Sequence, residues 1–535
     1  MATATQLSQA DLETAKKDMA VAFVSEGSEE TGGADPISEK LGTRADQLEM
    51  QRLGKKQQFK RNFRFLSILG FTCTLMATWE SMLAVNSYAL INGGFSGFIY
   101  IYIASFVGFF AVVLTMAEMA SMAPTTGGQY HWVSEFSPPN MQKFLSYIVG
   151  WVCVLGWQTG TASTAFIGGT LVQGLLTLND PSYVAQRWHG TLIVIFISFV
   201  AVLFNTVLAK RLPLIEGIIL VLHICGFFAI IIVLWCMAPR TSSHEVWGTF
   251  RNEGGWDTMG LAVLVGMLSP IYGFVGPDSA NHMSEEIRDA SVVVPRCMMW
   301  TAILNGALGF IMVVTYCYCA GGYATILGTA TGYPFVETFY IATQSKAGAT
   351  IMTCIIALME ICSSISILAT ASRQLFAFAR DNGLPYPNIF AYILPGWDIP
   401  INAIMVSFMV SVLLSLINIG STAAFNAVAS LCCCALFTSY WFSISCIVWR
   451  RLTGAYLPPA RWSLGKWGLP LNIFSVLWLT FATIFLFFPT YKNPTAESMN
   501  WAIVIFSGVI GIALILYWFR GRHVYQGPVV LVKRE

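Results

Sequence analysis

The chain has 535 residues, 56% hydrophobic and only 11% charged, where a soluble protein carries about a quarter charged residues. Water is therefore not its main solvent, and a net charge of +2 without a domain-wide basic face excludes a nucleic-acid partner. Nearly all of the 13 cysteines stand in apolar runs, where Cys acts as a small hydrophobe, so neither disulfides nor a metal site are expected.

In chain order, residues 1–64 are polar and have no leading apolar core, which predicts a disordered cytoplasmic N-terminal tail and leaves insertion to the first span. A bilayer core of about 30 Å needs roughly 20 apolar residues. Such runs follow at 66–91, 98–122, 144–177, 191–209, 214–238, 259–277, 298–321, 349–372, 401–419, 423–448, 471–490 and 500–519. The fold class expected is all-α, with about 12 transmembrane helices over residues 65–520 and a cytoplasmic C-terminal tail at 521–535.

The first span is interrupted near Thr78-Trp79-Glu80-Ser81, which puts a carboxylate inside the bilayer at a cost of about 2.5–3.5 kcal/mol. Glu80 beside Trp79 is the chemistry that attracts an ammonium group, by ion pairing and cation–π contact. No Lys or Arg lies inside the second to eighth spans except at their ends, so the partner expected for Glu80 is a proton, backbone N–H or a cationic solute. The sixth span is interrupted from Gly273 to Asp278, where Gly273, Gly276 and Pro277 forbid a regular helix. Interrupted helices at positions 1 and 6 predict a five-plus-five inverted repeat with its solute site at the bilayer midplane between the breaks. The substrate-binding candidates are Thr78, Trp79, Glu80, Gly273, Phe274, Gly276 and Asp278.

Beyond the second break, Asp278, His282, Glu285 and Glu286 are spaced to share one helical face. A histidine among carboxylates there could relay protons; for Glu285, Glu286, Arg288 and Asp289, ordinary solvated surface charges are the stronger expectation. Glu118, His223 and Glu360 are polar residues in apolar surroundings and read first as hydrogen-bonded packing residues. Glu360 is the best functional candidate of the three, being flanked by apolar turns, and His282, Glu285 and Glu360 are the coupling or gating candidates.

Lys and Arg sort to one side of an even number of spans: only Arg187, Arg240, Arg251, Lys346 and Lys492 fall on the other. The positive-inside rule then places both termini in the cytoplasm. No phosphate loop, zinc helix or nucleophile elbow is present, so ATP-driven pumping, enzymatic activity and cofactors are not expected.

Four stretches carry a resemblance: Thr74 to Glu80, Ala117 to Trp132, Gly276 to Glu286 and Ser372 to Pro385. They resemble the fungal branch of the amino acid–polyamine–organocation (APC) superfamily, which includes GABA permeases and choline transporters, over residues 60 to 520 or so. The resemblance implies the LeuT-like five-plus-five fold plus two extra helices, and proton-coupled import of an amine or amino acid across a fungal plasma or vacuolar membrane. In place of the Gly-rich triplet with which carriers of this superfamily often hold a carboxylate, Ala77-Thr78-Trp79-Glu80 stands, which favours an amine or choline headgroup. The competing reading is a non-transporting nutrient sensor on the same fold.

Overall fold

A computed structural model describes residues 41–420, 424–528 and 532. Among these the regular structure is helical throughout, with only three isolated β-bridges. Twelve helices are long and apolar enough to cross a membrane: Phe65–Ile91, Gly94–Met122, Gln142–Asn179, Arg187–Thr206, Ala209–Met237, Met259–His282, Ala290–Cys319, Lys346–Arg380, Ile401–Gly420, Ala427–Thr453, Gly465–Leu486 and Ala502–Val524. The third and eighth, of 38 and 35 residues, are the longest and pack on one another at the centre. With them the first, sixth, seventh and tenth spans hold most of the buried side chains, while the outer faces of the fourth, fifth, ninth, eleventh and twelfth spans are studded with exposed Leu, Ile, Val and Phe, the surface that hydrocarbon requires.

Both discontinuities are present. The first span runs as Phe65–Met76 and Thr78–Ala84, divided at Ala77, whose left-handed φ of 40° costs a non-glycine residue about 1–2 kcal/mol. The sixth divides after Leu268–Phe274: Gly276 takes φ 125°, Pro277 offers no N–H donor, and helix resumes at Ser279–His282.

Part of the expected N-terminal tail is instead built into the fold. Residues 1–40 lie outside the described residues, but Arg44–Arg52 is a helix with a Thr43/Asp46 capping box, and Leu53, Phe59 and Phe63 belong to the hydrophobic core. Asp46 also accepts from the backbone N–H of Asp289 (2.9 Å) and Ala290 (3.0 Å), where the seventh span starts. Arg52 pairs with Glu135 at 2.8 Å, Lys55 with Asp381, and Arg61 with Asp46 at 3.1 Å. Two of these cations, Arg52 and Lys55, meet carboxylates that arrive 83 and 326 residues later, a match no local window displays. At the other end the twelfth span reaches Val524 and Tyr525 is fully buried, its OH 2.5 Å from Ser146 Oγ, so residues 521–525 are docked as well. Both described ends lie on one face of the molecule, the terminal face.

Candidate functional site

Between the two breaks lies a cavity of about 30 Å³, walled by Leu75, Ser81, Trp157, Tyr272, Gly276 and Glu360 among others. It has room for about two waters, so the side chains have closed around it. The breaks are tied together: Thr78 Oγ1 donates to Gly273 O at 2.6 Å, and Ser363 of the eighth span donates to Leu75 O at 2.7 Å. A Cβ at Gly273 would stand 2.4 Å from Met82 Cε and would displace the end of that side chain.

The carboxylate on the cavity is Glu360. It is buried, and its Oε1 lies 3.4 Å from the Ser81 hydroxyl. Glu80, expected to face a solute, does not border the cavity: successive helical residues are 100° apart, and once the helix restarts after Ala77 the residue that faces inward is Ser81. Glu80 turns to the fifth span, where its Oε1 is 2.7 Å from His223 Nδ1. The partner missing from the sequence argument is thus a histidine, 143 residues away. Trp79 follows Glu80 outward and packs on His223 and Phe227, with ring centroids 5.8 and 5.9 Å away. The rings that do flank the cavity are Trp157 and Tyr272, the latter held by Ser163 at 3.0 Å.

Of the remaining candidates, Gly276 borders the cavity, whereas Phe274 packs into a ring cluster with Tyr102 (4.9 Å), Phe106 and Phe109. Asp278 is fully buried on the terminal-face side, accepting from Tyr440 OH at 2.6 Å and Gln129 Nε2 at 2.7 Å. His282 has both nitrogens engaged: Nδ1 faces Thr126 O at 2.9 Å, which requires Nδ1–H, and Nε2 accepts from Trp157 Nε1 at 3.0 Å. Both ring nitrogens are thereby committed to structural hydrogen bonds, and Nε2 also stands 3.6 Å from Asp278 Oδ2.

Asp278 and His282 share one helical turn, with His282 Nε2 3.6 Å from Asp278 Oδ2, but Glu285 and Glu286 do not continue that face, because the helix at Ser279–His282 gives way to a 3₁₀ turn. Nor are Glu285 and Glu286 solvated surface charges. Arg380 grips Glu285 through both oxygens, at 2.6 and 2.9 Å, and Arg373 pairs with Glu286 at 2.9 Å. Burial pushes the Glu285 carboxyl up, but Arg380 and then Lys55 outweigh it and hold the group below the usual carboxylate range; Asp381 is held down likewise by Lys55 and Arg380. Of the nine described Lys or Arg pairs with carboxylates, seven lie at the terminal face.

The four stretches singled out in the sequence converge here. Thr74 to Glu80 and Gly276 to Glu286 form the breaks. Ala117 to Trp132 lays Thr125, Thr126 and Gln129 on Asn281, His282 and Asp278, with Gly128 at φ 57° because a Cβ would meet His282 at 2.7 Å. Ser372 to Pro385 supplies Arg373, Arg380 and Asp381 to the ion pairs below. Sequence reasoning missed Ser81, Trp157, Tyr272 and Tyr440; a Tyr one residue before the Gly273 break was the one local hint.

The family model described as Amino acid permease matches residues 63–509. A putative amino acid/polyamine transporter of Macrophomina phaseolina is 30% identical over 81% of this chain and 96% of its own length. A choline transporter of Saccharomyces cerevisiae is 28% identical (87% and 83% covered), and amino-acid permease 2 of Neurospora crassa 27% (90% and 88%). Among solved structures, a manganese transporter of Eremococcus coleocola superposes with a TM-score of 0.52 at 11% identity over 94% of this chain and 97% of its own, a likeness of fold alone.

Proposed function

Given that the chain belongs to the amino acid permease family, a family of multi-pass membrane transporters, we propose that it carries a small amine or amino acid across the membrane by alternating access, driven by a proton gradient. The observation that carries this reading is the Glu360 carboxylate bordering a small cavity between two broken helices, flanked by the rings of Trp157 and Tyr272. A carboxylate and aromatic faces in a water-poor site select a positive nitrogen, whether a primary ammonium or a quaternary headgroup. Glu360 is the cation-binding residue of this reading, Ser81 and Gly276 line the same site, and no chemistry is done on the solute. The relatives named for choline and for amino acids fit such a pocket, and the choice between those solutes is one for measurement.

The carrier is proposed to sit in the fungal plasma membrane, with the vacuolar membrane as the alternative, and with its terminal face in the cytoplasm, where the basic residues accumulate. The ion pairs of that face, Glu285–Arg380 and Lys55–Asp381 foremost, are its inner gate, with Asp278 and His282 buried above them. The test is uptake of labelled choline, ethanolamine, GABA and neutral and basic amino acids into cells at neutral and acidic external pH, with and without a protonophore. Concentrative uptake of at least one solute, faster in acid and abolished by the protonophore, is expected. Solute binding with no flux at either pH would favour the sensor reading instead.

A further inference from the structure

Two carboxylates flank the first break, and only one of them is needed to hold a cationic solute. The other, Glu80, is fully buried against His223, which is equally buried. Among the described residues neither His223 Nε2 nor Glu80 Oε2 has a hydrogen-bond partner, a costly state for the free atoms of a buried acid–base pair.

The charges explain what those atoms are for. With Nδ1–H donated to an ionised Glu80, the pair carries a net charge of −1 in a medium that penalises it. One proton arriving at Nε2, its lone pair forming the new N–H bond, turns the pair into a neutral carboxylate–imidazolium unit; its departure restores the charge. The surroundings supply no other cation to do this. The first span offers Glu80 alone of its carboxylates; the eighth carries Glu360 and Cys362, the seventh Tyr316 and Cys317, and the helix Pro334–Thr343 carries Glu337, engaged by Thr329. Glu216, seven residues earlier on the same face of the fifth span, is bonded to Ser366 at 2.8 Å. Of the basic residues on these helices, Arg373 is committed to Glu286 and Arg380 to Glu285, while Lys210, Arg211, Arg296 and Lys346 are exposed.

We propose that the Glu80–His223 pair is the proton-binding site of the carrier, separate from the solute cavity and one residue removed from it, so that the solute's positive nitrogen occupies Glu360 while the driving proton occupies Glu80–His223. Ser81, adjacent to Glu80 and touching Glu360, is the link by which each site senses the other. The proposal rests on the proton-coupled reading above and names the group that reading leaves open.

The full chain in proteoliposomes with an entrapped pH-sensitive dye tests it, with labelled choline, GABA and arginine as the solutes tried in turn. Two quantities are read for each protein: accumulation of solute with its accompanying proton influx under an imposed pH gradient, and gradient-free exchange of internal for external solute. His223→Gln and Glu80→Gln are expected to lose accumulation and proton influx while exchange persists, and Glu80→Asp, still ionisable, to recover part of the accumulation. If His223→Gln accumulates solute and admits protons as the unaltered protein does, the site is wrong while proton coupling stands. If exchange disappears along with accumulation in both Gln variants, the pair is not separate from the solute site and the proposal falls. If the unaltered protein exchanges solute but moves no protons, proton coupling itself fails, and this site with it.

Discussion

Glu80 and Glu360 show how far one residue's phase on a helix determines its role. Both are carboxylates inside apolar spans, and both are visible in the sequence as expensive residues. Which of them looks into the cavity depends on where the first span restarts, and Ala77 in the left-handed region rotates the second segment so that Ser81 faces the cavity and Glu80 faces His223. No residue preference marks Ala77 for that conformation, so this rotation was not legible, and neither was a pairing across 143 residues. The consequence reverses the sequence-level expectation for Glu80→Gln: the apparent affinity for solute in exchange assays should stay within about threefold, less than 1 kcal/mol. A loss of tenfold or more in exchange affinity would return Glu80 to the solute site. Trp157→Ala removes a ring from the cavity wall and also the donor that His282 Nε2 accepts from, so it should both weaken solute affinity and destabilise the protein, the second by about 1–3 kcal/mol for the orphaned buried nitrogen. Trp157→Phe, which keeps a ring but not the N–H, should separate the two in thermal-shift and exchange measurements.

At the scale of elements, the spans and the second break were legible because their causes are local: apolar length for the former, and Gly273, Gly276 and Pro277 for the latter. The N-terminal segment 41–64 was not, because two of the ion pairs that order it, Arg52–Glu135 and Lys55–Asp381, draw their carboxylates from distant parts of the chain. Lys55 lies at the hub of these, against Asp381 and within the field of Glu285. Removing it leaves buried carboxylates short of a cation, a change of about 3–5 kcal/mol against the docked arrangement. Amide exchange over residues 44–64 in Lys55→Ala should therefore accelerate markedly while the third and eighth spans remain protected; unchanged exchange would show that the segment is held by its apolar residues alone. The pH dependence has a definite sign. Glu285 and Asp381 are held below the usual carboxylate range, so the stability they contribute is present above their unfolded values and is lost only as pH falls through their folded ones. Docking of the segment should be the same at neutral and mildly acidic pH and weaken only below about pH 4, the ordinary carboxylate value.

Among the described residues the molecule is a bundle of twelve spans, with a cavity between the two broken helices and its ion pairs gathered mainly at the terminal face. Composition and span count were enough to read that architecture, and the sorting of Lys and Arg to one side is what supports the proposed cytoplasmic placement of the terminal face. Tags at either end should thus be reachable only after cells are permeabilised, and labelling of either one on intact cells would overturn the orientation. The central claim is that the cavity bordered by Glu360 is where a positively charged nitrogen is held, and it is tested most directly by the affinity of Glu360→Gln for the accepted solute in gradient-free exchange, where proton coupling has no part. With the protein present in the membrane at normal abundance, that affinity should fall by one to two orders of magnitude, on the order of 1.4–2.8 kcal/mol; a Glu360→Gln carrier that exchanges every accepted solute with unchanged affinity would place the positive nitrogen elsewhere.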